Sequence, residues 1–222
     1  MNDVTRVDGR IERGEQTRRL ILRRAADIAS VEGLEGLSIG RLATELEISK
    51  SGVFAHFGSK EELQLATIRA ASAIFVDEVV KPALTRPAGL PRLTALCEGW
   101  LDYSEHRTFP GGCFFAAVQP EFGSRPGRVR DAVAEAGSKW TNLIRDSAAK
   151  SDLDADPDQV AFEVIALLEA ANVQSVLHDF PGAYGLARTA VRARLTPRAA
   201  QQAQPPPPPA AEPRESPSPR AR

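Results

Sequence analysis

Chemically distinctive side chains are scarce in this chain: two cysteines, three histidines, two tyrosines, two tryptophans and one methionine among 222 residues. Two cysteines, Cys97 and Cys113, cannot build a disulfide framework. The histidines, at 56, 106 and 178, have no metal-ligand spacing. No C-x-x-C, H-E-x-x-H or G-x-S-x-G occurs, and no glycine-rich phosphate loop. The expectation is therefore a protein that is not an enzyme and holds neither cofactor nor metal. No signal peptide opens the chain and no run of 18 to 20 uninterrupted apolar residues interrupts it, so no membrane partner and a cytoplasmic location are expected. A net charge of −1 excludes a global positive field, leaving only a local basic surface for any contact with nucleic acid. One candidate is the run Arg10, Arg13, Arg18, Arg19, Arg23 and Arg24, which reads equally as a solvated helix face.

What is abundant is helical periodicity. Apolar residues recur at helix spacing from about residue 15 to 195, and no stretch alternates as a strand would, so the fold is expected to be all-α. Residues 1–13 read as a flexible arm. A first helix is expected from Glu15 to Glu32, stopped at Gly33. Ser38 caps a short second helix and Ser49 a third, with only Glu47 and Ile48 between them, which is helix-turn-helix spacing. Gly58 ends the third, and Ser59 with Glu62 forms a capping box for a fourth that runs past Val80. Later helices are expected at 91–107, 112–119, 126–150, 157–179 and 184–195, with Pro120 ending or kinking the second of these and Pro126 in the first turn of the next. The implied divisions are 14–62 for a helix-turn-helix domain with a linking helix at 59–82, 83–196 for a second helical domain, and 197–222 for a disordered proline-rich tail.

The stretch "ISKSGVFAHFGSKEEL", residues 48–63, carries the most chemistry. A recognition helix enters the major groove by its N-terminal end, where bulk would hold the protein off the bases. Ser49, Ser51 and Gly52 keep that end slim, and Lys50 supplies charge for phosphate oxygens. Val53 and Phe57 would point inward and seal the helix to its neighbours.

The run "RLILRRAADIASVEGLEGLSIGRLATELEISKSGVFAHFGSKEELQLATI", residues 19–68, resembles the N-terminal domain of TetR-family (tetracycline-repressor-like) transcriptional regulators. The resemblance implies that Ser38 touches phosphate, that Ser49, Lys50, Ser51 and Gly52 lie on the recognition helix, and that His56 and Lys60 approach the DNA backbone. Phe54 stands at the family's tyrosine position on the DNA-binding surface, but without the hydroxyl a contact is lost, and core packing is the favoured alternative role. Ala55 replaces a residue often aromatic or polar, and Glu47 replaces the usual turn glycine, with strain or a carboxylate near phosphate as the consequence. Other roles are open: Ser49 as cap alone, His56 as a structural histidine, and Lys60 as a solvated lysine, though a lysine at the positive end of a helix suits an external anion.

The same resemblance implies a C-terminal domain that binds a small molecule and dimerises through its last two long helices, here 157–195. "DQVAFEVIALLEAANVQSVLHD" is apolar on more than one face, as that double duty requires. Trp100, Tyr103, Phe114, Phe115, Gln119 and Trp140 are candidate walls of an effector pocket, with ordinary core as the alternative. Cys113, after two glycines at a helix start, is a conceivable thiolate sensor. The expected function is a repressor that binds a pseudopalindromic operator as a homodimer and is released by an unknown effector. The rivals are a DNA-binding dimer without effector, and a small-molecule-binding or enzymatic protein with a vestigial helix-turn-helix.

Overall fold

A computed structural model describes residues 3–197, with side chains from residue 12 onward. Among these residues the secondary structure is helical throughout, apart from an isolated bridge between Phe109 and Gly112. The helices are α1 (Asp3–Glu32), α2 (Ile39–Glu45), α3 (Lys50–Phe57), α4 (Lys60–Phe75), a π-helical turn (Val76–Val80), α5 (Lys81–Leu84), α6 (Leu90–Glu105), α7 (Phe114–Phe122), α8 (Arg128–Ala148), α9 (Pro157–Leu177) and α10 (Ala183–Arg194).

Three boundaries differ from expectation. Helix α1 begins at Asp3, so the segment expected to be a loose arm is helical, in keeping with its freedom from proline and its share of Arg and Glu. Helix α7 continues through Pro120 to Phe122, because so near the helix end the proline forfeits a single hydrogen bond. Pro126 lies ahead of α8, whose N-cap is Gly127 in an extended, positive-φ conformation at φ 140°. The proline-rich tail, from residue 198, lies outside the described residues.

The first three helices pack around Ile21, Ala25, Leu34, Leu37, Leu42 and Val53, all essentially inaccessible to solvent. Arg41 ties α2 to α1 through Glu32 and, within α2, pairs with Glu45 at 2.8 Å. These hydrogen bonds hold the Glu32 and Glu45 carboxyls below the usual range and raise the Arg41 guanidinium. The arginines of α1 are partly committed inward: Arg18 covers the Phe57 ring, Arg23 donates to the Thr108 carbonyl at 2.6 Å, and Arg24 pairs with Glu45. The basic run is thus in good part an adhesive between helices. The side chain of Arg10 is outside the described residues.

The later helices enclose a second core around Leu93, Leu96, Leu101, Phe109, Phe114, Ile144 and Leu168. The segment "FPGGCFF" at 109–115 is wedged between α1 and α9. The Gly111 amide donates to Ser30 Oγ at 3.1 Å, and the Cys113 amide to Asn172 Oδ1 at 3.1 Å. A β-carbon on Gly111 would lie 1.8 Å from the Ser30 carbonyl oxygen, so only glycine admits this approach. Asn172 also accepts from Ser104 Oγ at 2.8 Å, and that hydroxyl lies 2.8 Å from Tyr184 Oη, completing a buried polar knot. Arg188 fastens α10 to α6 through Glu98, Asp102 and Glu105.

Helix α9 is, by length and composition, apolar enough to cross a membrane, although the sequence lacks an uninterrupted apolar run. It packs instead against α6, α8 and α10. A stripe of it still faces solvent: Phe162 is 72% exposed and Leu177 71%, with Val173 and Val176 between them. Phe180 and Leu186 extend that apolar surface toward α10.

Candidate nucleic-acid interface and an internal cavity

Both short helices are capped by the serines their positions demand. Ser38 Oγ accepts the Arg41 amide at 3.1 Å, and Ser49 Oγ accepts the Gly52 amide at 3.0 Å. Ser51 Oγ lies 3.2 Å from Ser49 Oγ. Between the helices Glu47 sits at φ 54°, the left-handed conformation in which a glycine would be free of strain.

Val53 and Phe57 are buried as expected, which turns the opposite side of α3 outward. Ser38, Ser49, Lys50, Ser51, Phe54 and Ala55 are all exposed, and Ile39, Gly40, Lys50, Ser51, Phe54 and Ala55 line one shallow groove. Lys50 crosses Gly40 closely enough that a β-carbon there would meet its Cε at 3.2 Å, and it has no carboxylate partner among the described residues. Gly52 faces open space except for Ser49 Oγ. His56 is partly buried, its ring 6.1 Å from that of Phe57.

One expectation needs correction. Phe54 is 54% exposed and does not pack in the core, because α3 already buries Val53 and Phe57, leaving residue 54 on the outer face. Lys60 is exposed and has a partner within the chain: its Nζ donates to the Glu35 carbonyl at 2.8 Å and pairs with the Glu35 carboxylate at 3.2 Å, which lowers the Glu35 carboxyl.

The turn Gly33–Glu35 is a hub. Gly33 takes φ 79° with Glu121 of α7 lying across it. The Glu121 carboxylate accepts the Leu34 amide at 3.0 Å and the Glu35 amide at 3.1 Å. From α4, Gln64 Nε2 donates to the Leu34 carbonyl at 2.9 Å beside the Lys60 contact. Arg128, at the start of α8, adds a surface link to Glu61 and Glu62 at 3.0 and 2.8 Å. Sequence reasoning missed Glu121, Gln64 and Glu35; nothing in their local pattern distinguishes them from ordinary helix and turn residues.

The far ends of the same helices line a partly open cavity of about 200 Å³. Of the six candidate wall residues, Trp100, Phe115, Gln119 and Trp140 line it. Tyr103 and Phe114 do not: both are buried in the aromatic core, where Tyr103 packs edge-on to Phe75 and Phe114 lies between Phe109 and Phe115. The Tyr103 hydroxyl approaches the Phe114 backbone without a hydrogen bond of good geometry, and burial pushes its titration upward. Walls not anticipated come from α4 and its π-helical turn (Ser72, Phe75, Val76, Val80), from Leu143 of α8, and from Ile165, Leu168 and Glu169 of α9. Burial raises the Glu169 carboxyl.

Cys113 also borders the cavity, but burial outweighs the adjacent helix amides and pushes its thiol up to about 11; Cys97 is pushed to about 12. Burial thus works against the thiolate form that a reactive sensor at Cys113 would need.

Two sequence models cover most of this architecture. "Bacterial regulatory proteins, tetR family" matches residues 21–67, and "Tetracyclin repressor-like, C-terminal domain" matches residues 89–191. The HTH-type transcriptional regulator TcmR of Streptomyces glaucescens is 27% identical over 161 residues, covering 70% of this chain and 69% of TcmR. SCO4454, a TetR-family regulator from Streptomyces coelicolor, shares the fold with a TM-score of 0.72 at 21% identity, over 88% of this chain and 95% of its own. AibR, solved in complex with isovaleryl coenzyme A and operator DNA, superposes with a TM-score of 0.64 at 18% identity, over 79% and 96%.

Proposed function

Since the chain belongs to the TetR family of transcriptional regulators, we propose that it is a repressor: a homodimer that holds a pseudopalindromic operator and releases it when a small molecule fills the cavity. The single observation behind the release step is that α4 and α7 each have one end in the cavity wall and the other on the Gly33–Glu35 hub. A ligand that spreads Phe75 from Phe115 or Gln119 moves the levers that fix the helix-turn-helix. It changes DNA affinity only to the extent that it prefers one arrangement over the other. AibR, with both ligand and operator in its complex, is a precedent within the fold.

On the DNA side, the proposed contacts are the exposed Ser38, Ser49, Lys50, Ser51 and Phe54 and the half-buried Gly52, with His56 and Lys60 at the margin. Without tyrosine's hydroxyl, Phe54 offers an apolar contact, such as a thymine methyl or sugar face. Lys60 shares its charge with Glu35 and contributes less to phosphate binding than Lys50. Two recognition helices about 34–36 Å apart require a two-fold dimer. The exposed stripe of Phe162, Val173, Val176 and Leu177 on α9, extended by Leu186 of α10, supports an interface within 157–195.

The test is selection of bound duplexes from a random pool, with Gly52→Leu as control. The expected product is a symmetric site that the variant, folded as the wild type, no longer enriches. Failure of the wild type to enrich any sequence, or retention of full affinity by the variant, would remove α3 from the groove.

A further inference from the structure

The cavity also carries a statement about what fills it. Its walls are mainly aromatic and aliphatic: Trp100 and Trp140, with Phe75 edge-on to Trp140 at 5.2 Å between centroids and to Phe115 at 6.3 Å. Its polar groups are few. Ser72 and Gln119 are neutral, and Lys139 is an exposed residue already paired with Glu135 at 2.6 Å. Glu169 is different: it is partly buried in the wall and has neither a hydrogen bond nor an ion pair among the described residues. A carboxylate withdrawn from water without a partner is costly, and a bound cation removes that cost. Indole faces attract the same kind of group, tryptophan most strongly.

We propose that the cavity takes a monocationic amphiphile, a protonated amine or quaternary ammonium on an apolar body, with the cationic centre against Glu169 and the body among Trp100, Trp140, Phe75 and Phe115. The inference rests on the reading of this cavity as the effector site. An anionic ligand would meet an uncompensated carboxylate, and a neutral one without a hydrogen-bond donor would leave it unpaired.

The chain has two tryptophans and both line the cavity, so intrinsic emission reports occupancy directly. The probes are benzyltrimethylammonium, its uncharged isostere neopentylbenzene, and the anion 3-phenylpropionate, titrated against the full chain. The expected result is saturable change in emission with the cation at concentrations at least tenfold below those needed for the other two. Glu169→Gln, which preserves side-chain volume, should weaken the cation about tenfold and leave the isostere unchanged. Equal or tighter binding of the neutral or anionic probe overturns the charge assignment while leaving the cavity a ligand site. Silence from all three probes overturns the cavity reading and the proposal with it. The wild-type comparison stands without the variant, whose melting curve separates lost affinity from lost fold.

Discussion

Replacing Glu121 with alanine tests the hub directly. The carboxylate accepts two backbone amides, from Leu34 at 3.0 Å and Glu35 at 3.1 Å, while reaching from α7 to the turn after α1. A hydrogen bond to a charged group contributes roughly 1.5–3 kcal/mol. The Glu35 amide lies at the surface and can be rehydrated, so most of its share is recovered in the variant. Leu34 is buried, and its amide has no substitute. The expected loss for Glu121→Ala is therefore about 2–3 kcal/mol, well short of twice the single-bond value. For a chain of this size that lowers the melting temperature by roughly 4–12 °C. Glu121→Gln, which can accept from one amide but turns an NH2 toward the other, should lose about half as much. Thermal denaturation gives the total, and hydrogen exchange at Leu34 and Glu35 localises it: both amides should exchange faster, with Leu34 changing more. The same variant should bind operator with less response to a cavity ligand, because one lever has been unfastened. Wild-type melting together with unchanged Leu34 protection would refute the hub. Normal melting loss with an intact ligand response would confine the signal to α4.

Further outcomes follow from the same geometry. Glu47→Gly relieves a left-handed residue at a cost of roughly 1–2 kcal/mol, offset by about 0.5–1 kcal/mol of extra chain entropy, so urea unfolding should show a small gain in stability. Lys50→Ala should reduce the salt slope of operator binding by about one unit, and Lys60→Ala by distinctly less, since Glu35 already shares that charge; equal slopes would contradict the pairing. Burial raises the folded-state pKa of Glu169, so the native protein holds that proton more tightly than the unfolded chain, and stability is lost as pH rises through the folded value. Glu169→Gln should accordingly stabilise the ligand-free protein at pH 7, with the gain vanishing below the ordinary carboxylate range near pH 4. A gain independent of pH would point to packing.

Much of the helix-turn-helix was legible because its determinants are local: Ser38, Ser49 and Ser59 cap, Gly33 and Gly58 stop, and Val53 with Phe57 define the inner face. Phe54 was misjudged because aromatic character suggests burial, whereas α3 is too short to bury a third large side chain. The pairing of Lys60 is hidden from the sequence for another reason. Its partner, Glu35, is 25 residues away and comes into reach only when α4 packs on α1. The hub depends on still longer separations, 86 and 87 residues between Glu121 and the amides it accepts. Four of the six wall candidates could be named from composition and spacing, while Glu169 looked like one more acidic residue on an apolar helix. Its isolation is a property of the assembled cavity.

The hub also bears on how DNA specificity can be re-engineered. Exchanging everything up to residue 62 with a relative would replace Gly33, Leu34, Glu35, Lys60 and the Ser30 contact at once, so Glu121 and Gly111 would face surfaces they were not matched to. Such chimeras should be unstable, or fold and no longer respond to a ligand in the cavity. A graft restricted to the outward residues of α3 leaves every one of those junctions in place. On the proposed contacts, new operator preferences are therefore best written into positions 49–52, 54 and 55, leaving the buried Val53 alone, with the turn at 33–35 treated as part of the body.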